Sequence, residues 1–333
     1  MTNAPSVLIL GGSGQAGSDT AALLRRWYPE LPLTIAGRDL DRARRVADAL
    51  GAADAVTIDL SRRDLGLPAG ASFAAVIATL WDHRHQGLTY AQDHAVPYLS
   101  ISSGLFDIGP ELVAGAQRAG AAPILVASHF LAGLATLAAL ATAREFDRVD
   151  SVTLGAILDE TDAGGPAGIA DLERWTTVTS AGLVRRDGVF TWLAAEDALA
   201  EVRAVDGTAL AGQAVPILDV PSLALATGAP QVRVDLAVGE SPGRRRGEAA
   251  SMEIRIDLTG SGADGSPLRR SRYLVHPAGQ RPLTALGIAL GAERLLGLRG
   301  EPVAAGTYTP ESLIDPEYAA QRMSEVGAVF VDA

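Results

Sequence analysis

The residues from Gly12 to Gly17, Gly-Ser-Gly-Gln-Ala-Gly, carry the spacing G-x-G-x-x-G. They follow the apolar run 7–10 directly and lead into a segment of helical character at 20–27, and that context gives the spacing its meaning. Gly12 permits a tight turn out of a strand, Gly14 lets backbone approach an anion, and Gly17 lets a helix pack against a sheet. The helix start adds N–H donors and positive potential. Ser13, Gln15 and Ala16 fill the rest of the loop. Residues 11–17 are expected to cradle the pyrophosphate of a nicotinamide dinucleotide. A bare strand-to-helix turn is the alternative, which the full context disfavours.

A second strand at 33–36 ends at Ala36-Gly37-Arg38-Asp39, where such a fold holds the adenosine ribose. An acid at that place suits NAD. Here Gly37 leaves room, and Arg38 has the shape to stack on adenine and to take a 2′-phosphate bidentately. Arg42 lies one helical turn further on. NADP(H) is therefore favoured over NAD(H); in the alternative, Asp39 takes the ribose and both arginines are solvated. Asp59, Thr79, Leu80, Ser102 and Ser103, at or beyond the ends of later strands, complete the expected cofactor contacts.

Hydride transfer also needs a proton donor for the atom that gains charge. Cysteine and lysine are absent, all 28 basic residues being arginine. Thiolate nucleophiles, disulfides, thiolate-bound metals and lysine Schiff bases are thereby excluded, and no metal site is expected. Histidine, acids, tyrosine and water remain. Ligands of open α/β sheets lie off the carboxyl ends of the strands, and His129 and His83 both follow a strand there. His129 is the first candidate proton donor and His83, with Asp82 beside it, the second. Asp82-His83-Arg84-His85 also reads as a solvated helix start. His94 reads as structural and His276, before Pro277, as a weak further candidate. For the substrate, Arg174 has the chemistry to clamp a carboxylate, with Trp175 next to it, and Gly133 lets backbone come close to a ligand.

The elements that must position these residues change character along the chain. Apolar runs at 7–10, 33–36, 55–60, 74–80, 98–101 and 124–127 alternate with helical segments such as 40–50 and 110–119, as expected of a doubly wound, Rossmann-type parallel sheet. Later, Val232, Val234, Leu236 and Val238, and then Met252, Ile254, Ile256 and Leu258, fall at alternate positions. That period of two belongs to strands with one wet face, hence to an inserted α+β domain on a mainly antiparallel sheet. The stretches 239–250 and 259–267 read as hairpin loops, with Arg244, Arg245 and Arg246 on a solvated tip, and a third strand is expected at 271–276. A long apolar helix at 283–298, a short one at 316–324 and an apolar run at 326–331 follow. The expected domains are 1–130, dinucleotide-binding; 131–280, an inserted domain for substrate and for pairing two copies; and 281–333, a return to the first.

A net charge of −11 argues against a nucleic-acid partner. The uncharged stretch between Arg118 and Arg144 is long enough to span a bilayer, but Pro123, His129 and Gly133 interrupt it, so no membrane association is expected. The opening MTNAPSVLIL lacks the basic and apolar regions of a secretory leader, and a cytoplasmic location is expected.

On three motifs the chain resembles the saccharopine dehydrogenase-like oxidoreductases: Val7 to Gly17, Ala36-Gly37-Arg38, and Thr307-Tyr308-Thr309-Pro310-Glu311 with the residues up to Pro316. The resemblance implies NAD(P)-linked oxidoreduction, commonly at a C–N bond of an amino-acid-like substrate, and a substrate domain inserted into the Rossmann unit. Departures stand at Ser100-Ile101-Ser102-Ser103, where the family often has an Asp, and at His129-Phe130-Leu131-Ala132-Gly133, where it often has Phe-Asp-Pro-Gly. The expected activity is NADP-dependent hydride transfer to or from an imine, amine or carbonyl carbon of a small polar metabolite. Its rivals are reduction of an activated C=C bond in a more apolar substrate, and a cofactor sensor without catalysis.

Overall fold

The computed structural model describes residues 5–101, 104–162, 173–174 and 180–333. Its first sheet holds β1 (Ser6–Leu10), β2 (Leu33–Gly37), β3 (Ala53–Thr57), β4 (Phe73–Ala78), β5 (Tyr98–Ser100), β6 (Pro123–Val126) and the late strand Gly306–Tyr308. The order is Gly306–Tyr308, β6, β5, β4, β1, β2, β3, with every pairing parallel. Val7 to Leu10 and Ala75 to Ala78 have no solvent exposure, which is why these strands read as unbroken apolar runs: both faces are covered. Strand order reverses between β1 and β4, the switch point at which open α/β sheets bind ligands. This is a Rossmann-type α/β fold.

Helix α1 (Gln15–Trp27) and the helix Arg281–Leu295 are tied together. The Thr20 hydroxyl donates to the Ala285 carbonyl at 3.3 Å and the Tyr28 hydroxyl to Glu293 at 2.6 Å. Gly291 lets the second helix lie flush on the sheet, since a Cβ there would stand 2.7 Å from both Leu99 and Leu125. The described chain divides into two compact units, one within 1–103, 107–128 and 285–313, the other within 104–106, 129–284 and 314–333. The segment 281–333, expected to return whole to the first unit, thus divides. Its final strand, Val329–Asp332, belongs to the other sheet.

That second sheet is mixed. It runs β10 (Leu199–Arg203), β11 (Ala209–Ala214), β12 (Gln231–Gly239), β7 (Arg148–Asp159), β13 (Met252–Ser261), β14 (Pro267–His276) and Val329–Asp332, with β8 (Gly182–Arg186) and β9 (Val189–Leu193) as a hairpin beside β12. The expected β12–β13 hairpin does not form. β7 lies between the two, parallel to β12 and antiparallel to β13. Residues 240–251 are therefore a crossover, not a turn, and they contain the helical turn Pro242–Arg245. The arginines there are not a solvated tip. The Arg244 guanidinium donates to the fully buried Asp159 at 2.9 Å, and Arg245 pairs with Asp206 at 2.8 Å; Arg246 alone keeps to an exposed pair, with Glu248. The β13–β14 hairpin forms as expected.

The uncharged stretch becomes β6 and the helix Leu134–Ala143, most of whose side chains are buried. Among the described residues no helix is long and apolar enough to cross a membrane.

Candidate functional site

In the first unit the chain leaves β1 through Gly11, and here the turn requires a left-handed residue: Gly11 has φ +79°. The task expected of Gly12 thus falls one residue earlier. Gly12 is small for another reason, because a Cβ would stand 2.9 Å from the Ile9 carbonyl and 3.1 Å from the Ile35 side chain. Gly17 is the tightest of the set, with a Cβ 2.5 Å from the Gly11 carbonyl oxygen and 2.7 Å from the Gly12 Cα. Gly14 differs. Its φ of −79° and ψ of 175° suit any residue, and a Cβ would meet only the Gly11 carbonyl oxygen, at 3.1 Å. Gly14 is also the N-cap of α1, which has no side-chain cap and no acid in its first turn. Local packing therefore demands three of these glycines but not the fourth.

Thr79 and Leu80 lie under this turn. Thr79 donates its hydroxyl to the Leu10 carbonyl at 2.9 Å, and a Cβ on Gly11 would come 2.9 Å from that hydroxyl and 3.2 Å from Leu80. Both residues brace the loop. At the end of β2, Gly37 faces Ser13, whose hydroxyl lies 3.1 Å from a Cβ position on the glycine. Asp39 caps α2 (Leu40–Leu50), accepting from the Arg42 backbone N–H at 3.0 Å. Arg38 and Arg42 are exposed, and neither guanidinium has a hydrogen bond or ion pair with the described residues. Asp59 spends one carboxylate oxygen on its own loop, accepting from the Ser61 N–H at 2.8 Å and hydroxyl at 2.6 Å. Ser102 and Ser103 lie outside the described residues.

Asp82 turns inward. It accepts from the Gly87 N–H at 2.6 Å and so anchors the start of α3 (Gln86–Asp93), while His83 stays exposed beside Trp81. The two do not form an acid–base pair. His94 is structural as expected, stacked on Tyr90 with centroids 4.0 Å apart.

His129 belongs to the second unit and comes three residues after the last residue of β6, Val126, in the chain. It is only 6% exposed. Its Nε2 lies 2.8 Å from the Ser222 hydroxyl, whereas Nδ1 is buried with no partner among the described residues. Asp219 and Ser222 come from one helix, Asp219–Thr227. The Asp219 carboxylate accepts from the Phe130 N–H at 2.8 Å and the Thr136 hydroxyl at 2.7 Å. Burial pushes this carboxyl up, against the opposing pull of His129 and of those two donors. After Phe130 the chain is left-handed at three successive residues, Leu131, Ala132 and Gly133. Such backbone on non-glycine residues costs about 1 kcal/mol or more each and persists where the surroundings impose it. Asp219 and Ser222 left no signal in the sequence, being an ordinary helical pair about ninety residues away.

Arg174 lies in helical backbone, and Trp175 is outside the described residues. At the end of β7, burial pushes Asp159 up, but donors from Ser241 and Thr161 outweigh it and hold the carboxyl well below the usual range. It is a structural anchor.

His276 uses both ring nitrogens. Nδ1 accepts from the Ala278 N–H at 3.1 Å, which leaves Nε2 to donate to the Val326 carbonyl at 3.1 Å. Burial lowers its pKa, against the pull of that carbonyl. A neutral ring in the folded chain means that only the unfolded chain takes up a proton as pH falls below 6.5. The contribution to stability is therefore full above pH 6.5 and drains away as pH drops toward the folded-state pKa. Urea unfolding midpoints should fall more steeply from pH 7 to 5 in the wild type than in His276→Asn, which keeps an acceptor for Ala278. Parallel curves would contradict this assignment.

Comparison with solved structures places the fold among known oxidoreductases. A saccharopine dehydrogenase (L-Glu forming) from Saccharomyces cerevisiae superposes with a TM-score of 0.68 at 12% identity, over 99% of this chain and 100% of that one. An oxidoreductase from Agrobacterium radiobacter, in complex with NAD+, L-tartaric acid and magnesium, gives 0.48 at 15% identity over 98% of each chain. The first likeness establishes a shared fold along the whole chain, so the resemblance read from three motifs holds at the level of the fold. No family model matches the chain, and no curated protein matches it in sequence.

Proposed function

We propose that the chain is an NADP(H)-dependent oxidoreductase that transfers hydride to or from an imine, amine or carbonyl carbon of a small, polar, amino-acid-like metabolite. One observation carries the cofactor reading: Gly14 is the least crowded of the four glycines, with a single backbone atom near its Cβ position, at the uncapped start of a helix and at the strand-order switch. A pyrophosphate fits that place, taking N–H donors from the first turn of α1 with Ser13, Gln15 and Ala16 around it. Bound there, the cofactor supplies or accepts the hydride. The protein's part is to hold it, to orient the substrate and to move the proton, for which His129 is our candidate because one buried ring nitrogen has no partner among the described residues. Gly133, in the left-handed turn, and Arg174 are the substrate contacts we carry forward, with Trp175 as a proposal from sequence.

Two observations support NADP over NAD. Asp39 is engaged as a helix cap, and Arg38 and Arg42 have no partner among the described residues. Arg38→Ala should therefore weaken NADPH by about 2 kcal/mol, roughly thirtyfold, and NADH far less. Fluorescence titration of both cofactors checks it. Equal losses, or a wild-type preference for NADH, would refute the choice of NADP. Titration of the wild type with NADPH is the direct test of the whole reading, and an absence of saturable binding would end it.

A further inference from the structure

We infer that two copies of this chain join edge to edge through β9, with the two strands antiparallel about a two-fold axis at Thr191. The inference concerns assembly and is independent of the hydride-transfer reading.

β9, Val189-Phe190-Thr191-Trp192-Leu193, is an outer strand of the second sheet, paired with β8 alone among the described residues. An open edge is a row of unpaired backbone donors and acceptors, and natural sheets guard it with a charge, a proline or a very short strand. The other edge strands among the described residues are guarded. β3 carries Asp54, β10 carries Glu201 and Arg203, Val329–Asp332 carries Asp332, and Gly306–Tyr308 has three residues. β9 has no such guard. It presents apolar side chains instead, with Val189 63%, Phe190 43% and Trp192 53% exposed.

The β8–β9 hairpin fixes which backbone groups face outward. Asp187 and Gly188, at φ +50° and +81°, form its two-residue turn, and Arg186 lies opposite Val189. That flanking pair exchanges hydrogen bonds, and the pattern alternates along the ladder. Val189, Thr191 and Leu193 therefore spend their backbone groups on β8. Phe190 and Trp192 aim theirs at the open edge, where neither has a partner among the described residues.

An axis at Thr191, the middle of the strand, sets Phe190 of each copy opposite Trp192 of the other. Both become hydrogen-bonded pairs, and the outward groups of these residues are satisfied together. The rings share one face of the joined sheet, because residues two apart do so, and cross-strand aromatic pairs are favourable. Charge agrees with the same axis. Arg186 stands at the hairpin end of β9, and Glu196 and Asp197 follow its other end. All three are exposed and have no hydrogen bond or ion pair with the described residues. The antiparallel arrangement brings Arg186 of each copy toward the two acids of the other. Asp187, the acid at the same tip, is already held by the Gln231 amide at 2.6 Å. The two aromatic side chains leave roughly 200 Å² wet on each copy, against about 800 Å² per partner in a standard interface. The dimer is therefore of the weak class that assembles with concentration.

The test is sedimentation of the full-length protein from about 1 μM to about 1 mM, the span of weak affinities, together with two cysteine variants. The chain has no cysteine of its own, so any disulfide must join two copies. At the axis the two Thr191 residues form a non-hydrogen-bonded pair with Cα atoms about 4.5 Å apart, within disulfide reach. Thr191→Cys should stay folded, since the hydroxyl it removes donates to the Val189 carbonyl of the same strand, and it should cross-link on mild oxidation. Val189→Cys places its two copies roughly 13 Å apart along the strands and should not cross-link, although the position is well exposed. We expect the wild-type mass to rise toward that of a dimer, and Trp192→Lys to raise the dissociation constant at least about tenfold. A wild type that stays monomeric throughout overturns the inference and leaves the edge to a strand of another protein. A dimer that Trp192→Lys leaves intact, or that cross-links through Val189→Cys and not through Thr191→Cys, overturns it as well.

Discussion

Gly14→Val should abolish NADPH binding, weakening it by at least about 100-fold, or about 2.7 kcal/mol, while the protein stays folded. The valine side chain would occupy the place of the pyrophosphate at the start of α1. The fold is expected to accept it because backbone at φ −79° and ψ 175° is open to any residue and because the single near contact of a Cβ, the Gly11 carbonyl oxygen at 3.1 Å, needs to give by only a few tenths of an ångström. Gly17→Ala is the contrasting control. Its methyl would press on backbone at 2.5 Å and 2.7 Å, so it should cost about 1–3 kcal/mol of stability, in the range of other overpacked sites. Fluorescence titration and chemical denaturation of both variants separate the two effects. Unchanged NADPH affinity in Gly14→Val would remove the basis of the cofactor assignment.

The second large effect is on the chemical step. His129→Ala should slow hydride transfer by roughly 10²–10⁴-fold, the usual worth of a positioned general acid. NADPH affinity should hardly change, since the residues proposed to anchor the pyrophosphate and adenosine, 11–17 and Arg38, belong to the other unit. His129→Asn keeps a polar side chain but no group that titrates near neutral pH, and should be slowed comparably. Single-turnover transfer measured beside cofactor affinity is the check. If both variants run at near wild-type rates, His129 only packs, and His83, exposed and beside Trp81, becomes the residue to test.

Much of the first unit can be read along the chain because its determinants are local. A strand buried on both faces shows itself as an apolar run, and the glycine spacing lies within one turn between a strand and a helix. The arginine at the end of β2 is likewise one residue past its strand. Even there the left-handed position fell on Gly11, one residue before the motif, because a spacing of glycines does not say which of them carries positive φ.

The second unit yields less. Alternation along β12 and β13 identifies the wet face of each strand but not its neighbour. Nothing within 231–258 announces that β7, some seventy residues earlier, inserts between them. The same insertion brings Arg244 onto the buried Asp159, so that one arginine of an apparently solvated run anchors a buried carboxylate.

His129 could be picked out by its chemistry and by the strand before it. Its partners could not, since Ser222 and Asp219 lie about ninety residues further along the chain and meet His129 and Phe130 only in the folded second unit. Leu131 and Ala132 favour right-handed backbone by their own preferences, yet both are left-handed in the fold, just after the Phe130 N–H that Asp219 holds. Local propensity and periodicity are properties of neighbours in the chain and are legible there. Which ring nitrogen of His129 is paired, Nε2 with Ser222, and which has no partner among the described residues is decided by residues that are neighbours only in space.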